Sequence, residues 1–307
     1  MNVVWSSDEN YAQHLAVSML SLLESNRTAM ELNCYIISNN ISDASQKKLE
    51  ELAARYGRRI SWIDFEPFKQ RLELNMAWPI SISSYARLFL QEMLPESVSR
   101  VLYLDCDTVV CSSLEPLFEL DLKGSCVGGV RDFITGDLKK AIGLKEDSDY
   151  INAGILLIDL AGWRREHMLE QFLAYIDSQN GKVIHHDQGV VNHCLNERLC
   201  ILPPKYNAMT PLFTLSYPVL QKLWGSYYTS AARAEALAEP VIIHFTPGFT
   251  CQVWDVKCTH PHRARYLQHL DQTPWKGCLT DRKIPLKHRL LNWLALHMTG
   301  IYASIVR

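Results

Sequence analysis

The sequence predicts an α/β sandwich, in which helices flank a sheet of mainly parallel strands. Two observations predict it: short apolar runs recur along the chain, and amphipathic segments such as Ser42 to Arg55 lie between them. Apolar runs bounded by turns and separated by helical patterns are typical of buried parallel strands with crossover helices. Ligands of such sheets bind beyond the carboxyl ends of the strands. The predicted strands are Asn2–Trp5, Asn33–Ile37, Ile60–Ile63, Val101–Leu104, Cys126–Val130, Ile155–Ile158 and Val241–Ile243.

The composition is that of a globular enzyme-sized chain. Its 307 residues, of which 48% are hydrophobic, are enough for one large domain with its own core. The 31 Lys and Arg nearly balance the 33 Asp and Glu, so no global field would attract nucleic acid. The nine cysteines contain no Cys-x-x-Cys pair, which argues against a disulfide framework and a zinc site. Because the N-terminus also lacks the pattern of a signal peptide, we expect a cytoplasmic protein without a nucleic-acid partner.

Two acids follow the predicted strand Val101–Leu104 directly, as Asp105-Cys106-Asp107. This position places both carboxylates at the ligand-binding edge of the sheet, where they can hold a hard divalent cation. A metal there would bridge a diphosphate and neutralise the charge that develops on it as it leaves. Asp-x-Asp is common when taken alone, and a solvated turn after the strand is the alternative.

Four further motifs accompany the acidic pair in a fixed order. Ser84–Leu88 lies upstream, and Tyr150–Ile155, His185–Gly189 and Val241–Phe245 lie downstream. In this combination the chain resembles glycosyltransferase family 8, especially the bacterial lipopolysaccharide galactosyl- and glucosyltransferases. The resemblance runs from residue 2 to about residue 275. It implies a GT-A fold, a Rossmann-like arrangement with a mixed, mainly parallel sheet flanked by helices, followed by a C-terminal helical tail.

The resemblance also implies an activity and a cofactor. Family members of this kind transfer galactose or glucose, with retention, from a UDP-sugar to an oligosaccharide or glycolipid acceptor of a surface glycan. Their metal, usually Mn²⁺ and in some cases Mg²⁺, is held by the residues that correspond to Asp105, Asp107 and His244. Imidazole beside carboxylates suits manganese better than calcium. The alternative for His244 is a packed, hydrogen-bonded histidine after a strand.

Three residues near the end of the first strand match the positions that hold uracil and ribose in the family. They are Asp8, Asn10 and Tyr11. The ring of Tyr11 can stack on a base, and the carboxylate of Asp8 can accept the imide proton of uracil. The alternative is that Asp8 or Asn10 merely caps the helix that follows.

The remaining donor-site positions of the family fall on polar or small residues, which suit the hydroxyls of a sugar. Taken singly, each polar residue has an ordinary alternative: a surface ion pair for Arg87, a turn for Asn152 and a helix cap for Asp187. The implied donor-site residues are Arg87, Asp132, Asn152, Ala153, Asp187, Gln188 and Gly248.

Retention at the anomeric carbon usually calls for a carboxylate nucleophile, as in retaining glycosidases. In this family the matching residue is an amide, which here is Gln188. The resemblance therefore implies a front-face route in which the leaving phosphate helps deprotonate the acceptor and Gln188 stabilises the cationic sugar. The neighbouring Asp187 is the alternative nucleophile.

The main departure from the family pattern follows His244. An apparent two-residue insertion leaves Gln252 where a phosphate-binding lysine is expected. The diphosphate then relies on the metal and on backbone amides, or on Lys257 from slightly further along the chain. The acceptor is expected to meet the less regular region from Tyr206 to Glu239.

The chain divides into a catalytic domain, residues 1–279, and a C-terminal segment, residues 280–307. The segment combines five Lys or Arg with Trp293, Tyr302 and several leucines, and is too short and polar to span a membrane. A basic amphipathic helix of this kind suits an anionic membrane surface, which predicts a peripheral protein on the cytoplasmic face of the inner membrane. The alternative is an ordinary helix packed on the domain.

Two other functions remain open at this stage. Asp105 and Asp107 also fit the opening motif of haloacid-dehalogenase-type phosphatases, in which the first aspartate is the nucleophile. A non-catalytic relative that binds sugar nucleotides is the second alternative, and the missing lysine favours it. Phosphatase turnover without UDP would support the former, and nucleotide binding without UDP release would support the latter.

Overall fold

A computed structural model of the chain describes residues 1–75, 81–225, 228–282, 286–298 and 301–302. This part of the chain contains ten strands, and each of the seven predicted strands coincides with one of them. The strands are β1 (Asn2–Asp8), β2 (Asn33–Asn39), β3 (Ile60–Asp64), β4 (Arg100–Leu104), β5 (Thr108–Val110), β6 (Val127–Arg131), β7 (Ile151–Asp159), β8 (Leu199–Ile201), β9 (Ala208–Met209) and β10 (Ile242–His244).

Seven strands form the central sheet, in the order β3-β2-β1-β4-β7-β6-β8, and β5-β10-β9 form a small second sheet. The central sheet is mixed, because β7 runs antiparallel to both β4 and β6 while the other pairs are parallel. The predicted mixed, mainly parallel sheet is confirmed, but the apolar runs did not indicate that β7 is the antiparallel strand. A strand buried on both faces has the same apolar pattern in either direction, so direction is not encoded locally.

Helices cover both faces of the sheet. The predicted helix Ser42–Arg55 is α2, where Ser42 accepts a hydrogen bond from the Ser45 backbone N–H at 3.3 Å and so caps the helix. Four 3₁₀ segments span Glu9–Tyr11, Ile82–Phe89, Asn196–Arg198 and Pro204–Asn207. The α-helices are α1 (Ala12–Ser25), α2 (Asp43–Ala54), α3 (Glu66–Lys69), α4 (Leu90–Met93), α5 (Glu115–Phe118), α6 (Gly136–Ala141), α7 (Leu160–Arg165), α8 (Met168–Ser178), α9 (His186–Leu195), α10 (Thr210–Thr214), α11 (Tyr217–Trp224), α12 (Ser230–Ala238), α13 (Arg263–Leu270) and α14 (Leu286–His297).

The core lies in two layers, one on each face of the sheet. Along β4, Val101 and Tyr103 pack with α8 and α9, while Leu102 and Leu104 pack with α1. This alternation follows from the two-residue period of a strand. Burial of each such leucine contributes roughly 1.5–3 kcal/mol, so the two layers hold the central strands in a fixed position.

One edge of the sheet collects the ends of several elements. Asp8 ends β1, Asp105 follows β4 and Asp132 follows β6. Because β7 is antiparallel, its beginning, with Asn152, lies at the same edge. The small sheet adds His244, whose strand β10 pairs with β5 and whose neighbour Phe245 donates a backbone hydrogen bond to the carbonyl of Asp107 at 2.9 Å.

A helix that crosses a lipid bilayer needs about 20 predominantly apolar residues, and the described helices are shorter or more polar than this. Within the described ranges, none of them combines the length and the hydropathy that a membrane-spanning segment needs.

Candidate active site

A cavity of about 670 Å³ opens at this edge of the sheet. Of the predicted residues, Asn10 and Gly248 do not line it, although Tyr11, Pro247 and Phe249 beside them do. His244 is buried next to the two acids of the Asp-x-Asp pair. The predicted residues that line the cavity are Asp8, Tyr11, Arg87, Asp105, Asp107, Asp132, Asn152, Ala153, Asp187 and Gln188.

The predicted metal ligands lie together. Asp105, Asp107 and His244 each offer one ligand atom, and these atoms lie within 4.8 Å of one another. The Nε2 atom of His244 is 3.2 Å from Oδ1 of Asp107 and 3.9 Å from Oδ2 of Asp105. Two carboxylates and one imidazole form a donor set suited to manganese or a similar divalent cation.

A chain of hydrogen bonds fixes which nitrogen of His244 faces the acids. The carboxylate of Asp132 only accepts hydrogen bonds, so it orients the amide of Asn152, whose Nδ2 donates to it at 3.3 Å. The Oδ1 atom of Asn152 then accepts from Nδ2 of Asn207 at 2.9 Å. The Oδ1 atom of Asn207 in turn accepts from Nδ1 of His244 at 3.1 Å. The Nδ1 atom of His244 is therefore the nitrogen that carries a proton toward Asn207, and Nε2 is the nitrogen that faces the acids.

Two carboxylates close to Nε2 of His244 favour positive charge at this position. Burial alone would lower the pKa of His244, but the carboxylates of Asp107 and Asp105 outweigh it and raise that pKa above its ordinary value. The same electrostatic demand is met by a divalent cation bound to all three groups. Metal-ligating histidines typically donate a hydrogen bond from the ring nitrogen that does not bind the metal, and Nδ1 of His244 makes such a bond to Asn207. The residues present therefore fit a bound metal.

Gly154 allows this close approach. A Cβ atom placed on Gly154 would lie 2.3 Å from Cε1 of His244 and 2.6 Å from Oδ2 of Asp105. The Gly154 carbonyl also accepts a hydrogen bond from the Asp105 backbone N–H at 2.7 Å, which sets the position of that acid. Sequence reasoning missed Gly154 and Asn207, and the only local signal was the position of Gly154 within the Tyr150–Ile155 motif.

Arg87 is buried and joins two of the predicted acids. Its Nη2 atom donates to Oδ1 of Asp105 at 2.8 Å, and its Nε atom lies 2.9 Å from Oδ2 of Asp187. Burial by itself would lower the pKa of Arg87, but the two carboxylates raise it above its ordinary value. Arg87 is thus not a surface ion pair, and Asp187 lies within α9 rather than at its cap. Arg87 therefore holds Asp105, after β4, and Asp187, in α9, in place.

The side-chain amide of Gln188 is held on both sides. Its Nε2 atom donates to Oδ2 of Asp132 at 2.6 Å, and its Oε1 atom accepts from the Ala153 backbone N–H at 2.9 Å. Asn152 also donates to Oε1, at 3.2 Å, from within β7 rather than from a turn. The four residues form one polar network on the cavity wall, with donors and acceptors that suit sugar hydroxyls.

The other end of the cavity contains the predicted uracil site. The Oδ1 atom of Asp8 accepts from the Asn10 backbone N–H at 3.0 Å, which is the predicted capping alternative, and Oδ2 accepts from the Ser81 hydroxyl at 2.6 Å. Tyr11 is partly exposed beside them and packs at a steep angle against Trp254. Partial burial and the charge of Asp107 raise the pKa of Tyr11 to about 12, so its ring stays neutral.

Lys257 does not take the place of the expected phosphate-binding lysine. Its Nζ atom contacts the carboxylate of Asp281 and the carbonyl of Arg282, at 3.2 Å for the latter, on the exposed surface. Among the residues that the structure describes, no lysine lines the cavity. The cationic side chain at the cavity is Arg87, and its charge is already matched by Asp105 and Asp187.

Comparison with known proteins gives consistent matches over most of the chain. The profile described as Glycosyl transferase family 8 matches residues 2–254. General stress protein A of Bacillus subtilis is 28% identical over 280 residues, which cover 90% of this chain and 94% of that protein. The lipopolysaccharide 1,2-glucosyltransferase of Escherichia coli K12 is 29% identical over an alignment of 315 residues, gaps included, which covers 99% of this chain and 89% of that protein.

A solved structure matches as well. The galactosyltransferase LgtC, crystallised with donor and acceptor sugar analogs, superposes with a TM-score of 0.73 at 24% identity. The match covers 94% of this chain and 99% of that chain. At this identity the likeness concerns the fold, and it confirms the expected GT-A arrangement.

Proposed function

The chain belongs to glycosyltransferase family 8, and from this premise we propose that it is a metal-dependent, retaining hexosyltransferase. The donor is a UDP-sugar carrying glucose or galactose, and the acceptor is a saccharide of a bacterial surface glycan such as a lipopolysaccharide core. The observation that carries the proposal is the cluster of Asp105, Asp107 and His244, whose two acids line the same cavity as the Gln188 network. The similarity to the lipopolysaccharide 1,2-glucosyltransferase of Escherichia coli supports the lipopolysaccharide acceptor.

Each group of residues has a role in binding the donor. Asp8 and Tyr11 bind the base, and the network of Asp132, Asn152 and Gln188 binds the hexose hydroxyls. A bound Mn²⁺ or Mg²⁺, held by the cluster defined above, would supply Lewis-acid stabilisation of the diphosphate. Because the described cavity residues include no lysine, the protein itself contributes little positive charge there. We therefore expect donor binding to depend steeply on the metal.

The arrangement of Asp187 supports the front-face route over a covalent intermediate. Its carboxylate is buried and paired with Arg87, so charge pairing weakens it as a nucleophile. Gln188 has no charge to be neutralised, and its amide oxygen lies in the cavity wall where it can stabilise a cationic sugar. In this route the leaving phosphate accepts the proton of the acceptor hydroxyl.

The proposal predicts UDP release that requires both the right sugar and the metal. The chain is incubated with a lipopolysaccharide-core oligosaccharide as acceptor and with UDP-glucose, UDP-galactose or UDP-N-acetylglucosamine as donor, each with Mn²⁺, Mg²⁺, Ca²⁺ or a chelator. We expect release from one of the two unsubstituted hexoses, fastest with Mn²⁺ and abolished by the chelator. The product, examined by NMR, should have the anomeric configuration of the donor.

The same experiment separates the two alternative functions. UDP binding without release from any donor would favour the non-catalytic relative, and release of inorganic phosphate from phosphate esters would favour the phosphatase. The structure gives the phosphatase no support, because Asp105, its required nucleophile, is hydrogen-bonded to Arg87. A product with the inverted anomer would contradict the retaining mechanism.

We also propose that the C-terminal segment lies on an anionic membrane surface, which would place the protein on the cytoplasmic face of the inner membrane. Four large apolar side chains are exposed here: Leu290 and Trp293, which are three residues apart on α14, and Met298 and Ile301 beyond its end. The C-terminal segment, proposed to begin at residue 280, is still joined to the catalytic domain at its first residue. The Thr280 backbone pairs with Trp254 and Val256, so truncation should begin after this contact.

Membrane binding is tested with a double substitution, Leu290→Glu with Trp293→Glu. Both side chains are at least half exposed, at 56% and 50%, so the fold should persist. Sedimentation with vesicles of phosphatidylglycerol and phosphatidylcholine should show loss of binding by the variant, with UDP affinity unchanged. The matched control is Met30→Glu, because Met30 is 95% exposed in the loop before β2. Equal vesicle binding by wild type and variant would refute the membrane role.

A further inference from the structure

The cavity has an apolar end beyond the hexose network. Phe133 and Ile134 directly follow Asp132 at the end of β6, and Trp224 and Phe249 line the same cavity. In the sheet order β1-β4-β7-β6, Phe133 lies three strands away from Asp8. With about 4.8 Å between strands, the two residues are roughly 14 Å apart. A donor with its base at Asp8 and its hexose at Asp132 therefore places the transferred hexose next to this apolar end.

Three aromatic rings form a continuous wall at this end. The ring centroids of Phe133 and Trp224 are 5.2 Å apart at 62°, and those of Trp224 and Phe249 are 6.3 Å apart at 85°. These are the edge-to-face arrangements that aromatic rings prefer, so each ring supports the next. All three side chains are only partly buried, and they also face the cavity.

The backbone at Phe249 is strained in a way that places its ring in this wall. Phe249 has a φ of 60°, and the preceding Gly248 has a φ of 116°. A bulky residue rarely adopts the left-handed region, and such strain concentrates at functional sites. The ring of Tyr302, at 6.0 Å, packs against Phe249 from the C-terminal segment and helps hold it there.

The charge of this end limits what it can bind. The lining residues that neighbour the three rings along the chain are Ile134, Thr246 and Pro247, and none of these is ionisable. A phosphate or carboxylate entering here would lose hydration without gaining a counter-charge, which is costly. A neutral pyranose is suited to it, because one ring face presents C–H groups that stack on an aromatic ring while the hydroxyls point outward to polar groups.

We propose that Phe133, Trp224 and Phe249 form the platform for the acceptor sugar. The platform takes a neutral hexopyranose through its C–H face and excludes acceptor residues that carry phosphate or carboxylate on the stacked sugar. This inference rests on the proposed function, and it specifies the chemical class of the acceptor residue next to the transferred hexose.

The test uses saturation-transfer NMR on the full chain with UDP and Mg²⁺, because Mg²⁺ is diamagnetic and does not broaden the ligand signals. The probes are the methyl glycosides of glucose, galactose and mannose, together with glucose 6-phosphate, galactose 6-phosphate and glucuronic acid. We expect a neutral glycoside to receive saturation at its ring C–H protons, and the charged sugars to bind at least about tenfold more weakly. Trp224→Ala should weaken neutral glycoside binding about tenfold, and Trp224→Phe should retain most of it, because a ring face remains.

UDP affinity, measured by calorimetry, separates this inference from the proposed function. It should be unchanged in both Trp224 variants and in the control Trp62→Ala, which removes a partly buried tryptophan on β3. Glycoside binding that is equal in Trp224→Ala and wild type, or as strong for the charged sugars, would overturn the platform. If UDP binds but no glycoside receives saturation, the platform is also overturned. If the chain fails to bind UDP, the result contradicts the proposed function instead.

Discussion

Replacing Asp107 by asparagine is expected to lower metal-dependent UDP release on the order of 1,000-fold, because a bound metal contributes several kcal/mol to catalysis. Asp107 faces Nε2 of His244 at 3.2 Å, so its charge is central to the cluster. The asparagine keeps the shape of the side chain but removes one negative charge. Mn²⁺ affinity, measured by calorimetry, should fall together with turnover, while the melting temperature without metal should change little.

The control for this prediction is Asp64→Asn, since Asp64 is an exposed acid at the end of β3 and does not line the cavity. It should retain wild-type turnover and wild-type Mn²⁺ affinity. If Asp107→Asn kept chelator-sensitive turnover near the wild-type level, the assignment of Asp107 as a metal ligand would be wrong.

Gly154→Ala is expected to have the second largest effect, a loss of Mn²⁺ affinity on the order of 100-fold. The added methyl group would lie 2.3 Å from His244 and 2.6 Å from the Asp105 carboxylate, so both ligands must move. Displacing ligands or their supporting groups typically weakens metal binding by 10- to 100-fold. Calorimetry with Mn²⁺ measures the loss of metal affinity. UDP-release assays should show that saturating Mn²⁺ restores part of the turnover.

A matched control adds the same methyl group elsewhere in the sheet. A Cβ atom on Gly128, in β6, would meet the side chains of Leu122 and Leu202 and no cavity residue. Gly128→Ala should therefore lower the melting temperature through overpacking, with Mn²⁺ affinity close to wild type. If both variants lost stability equally and neither lost Mn²⁺ affinity, Gly154 would have a packing role only.

The sequence by itself determined the features that depend on neighbours along the chain. The apolar runs predicted the seven strands, and Ser42 predicted the start of α2, because side-chain periodicity and capping are local. The adjacency of Asp105 to β4 predicted that both acids lie at the sheet edge. The combination of motifs added the family, which no single motif would have established.

Only the tertiary structure decided how residues distant in the chain meet. Strand β7 is antiparallel, and this places Asn152 beside Asp132 and Gly154 beside Asp105. Asn207 sits in a segment without regular pattern, yet it connects Asn152 to His244 and sets which ring nitrogen faces the acids.

The structure also separates Lys257 from the cavity, because Lys257 lies close to His244 in sequence but pairs with Asp281 at the surface. The physical reason is the same in each case. Local pattern sets the conformation of a segment, whereas strand direction, hydrogen-bond orientation and close approach depend on the packing of segments tens of residues apart.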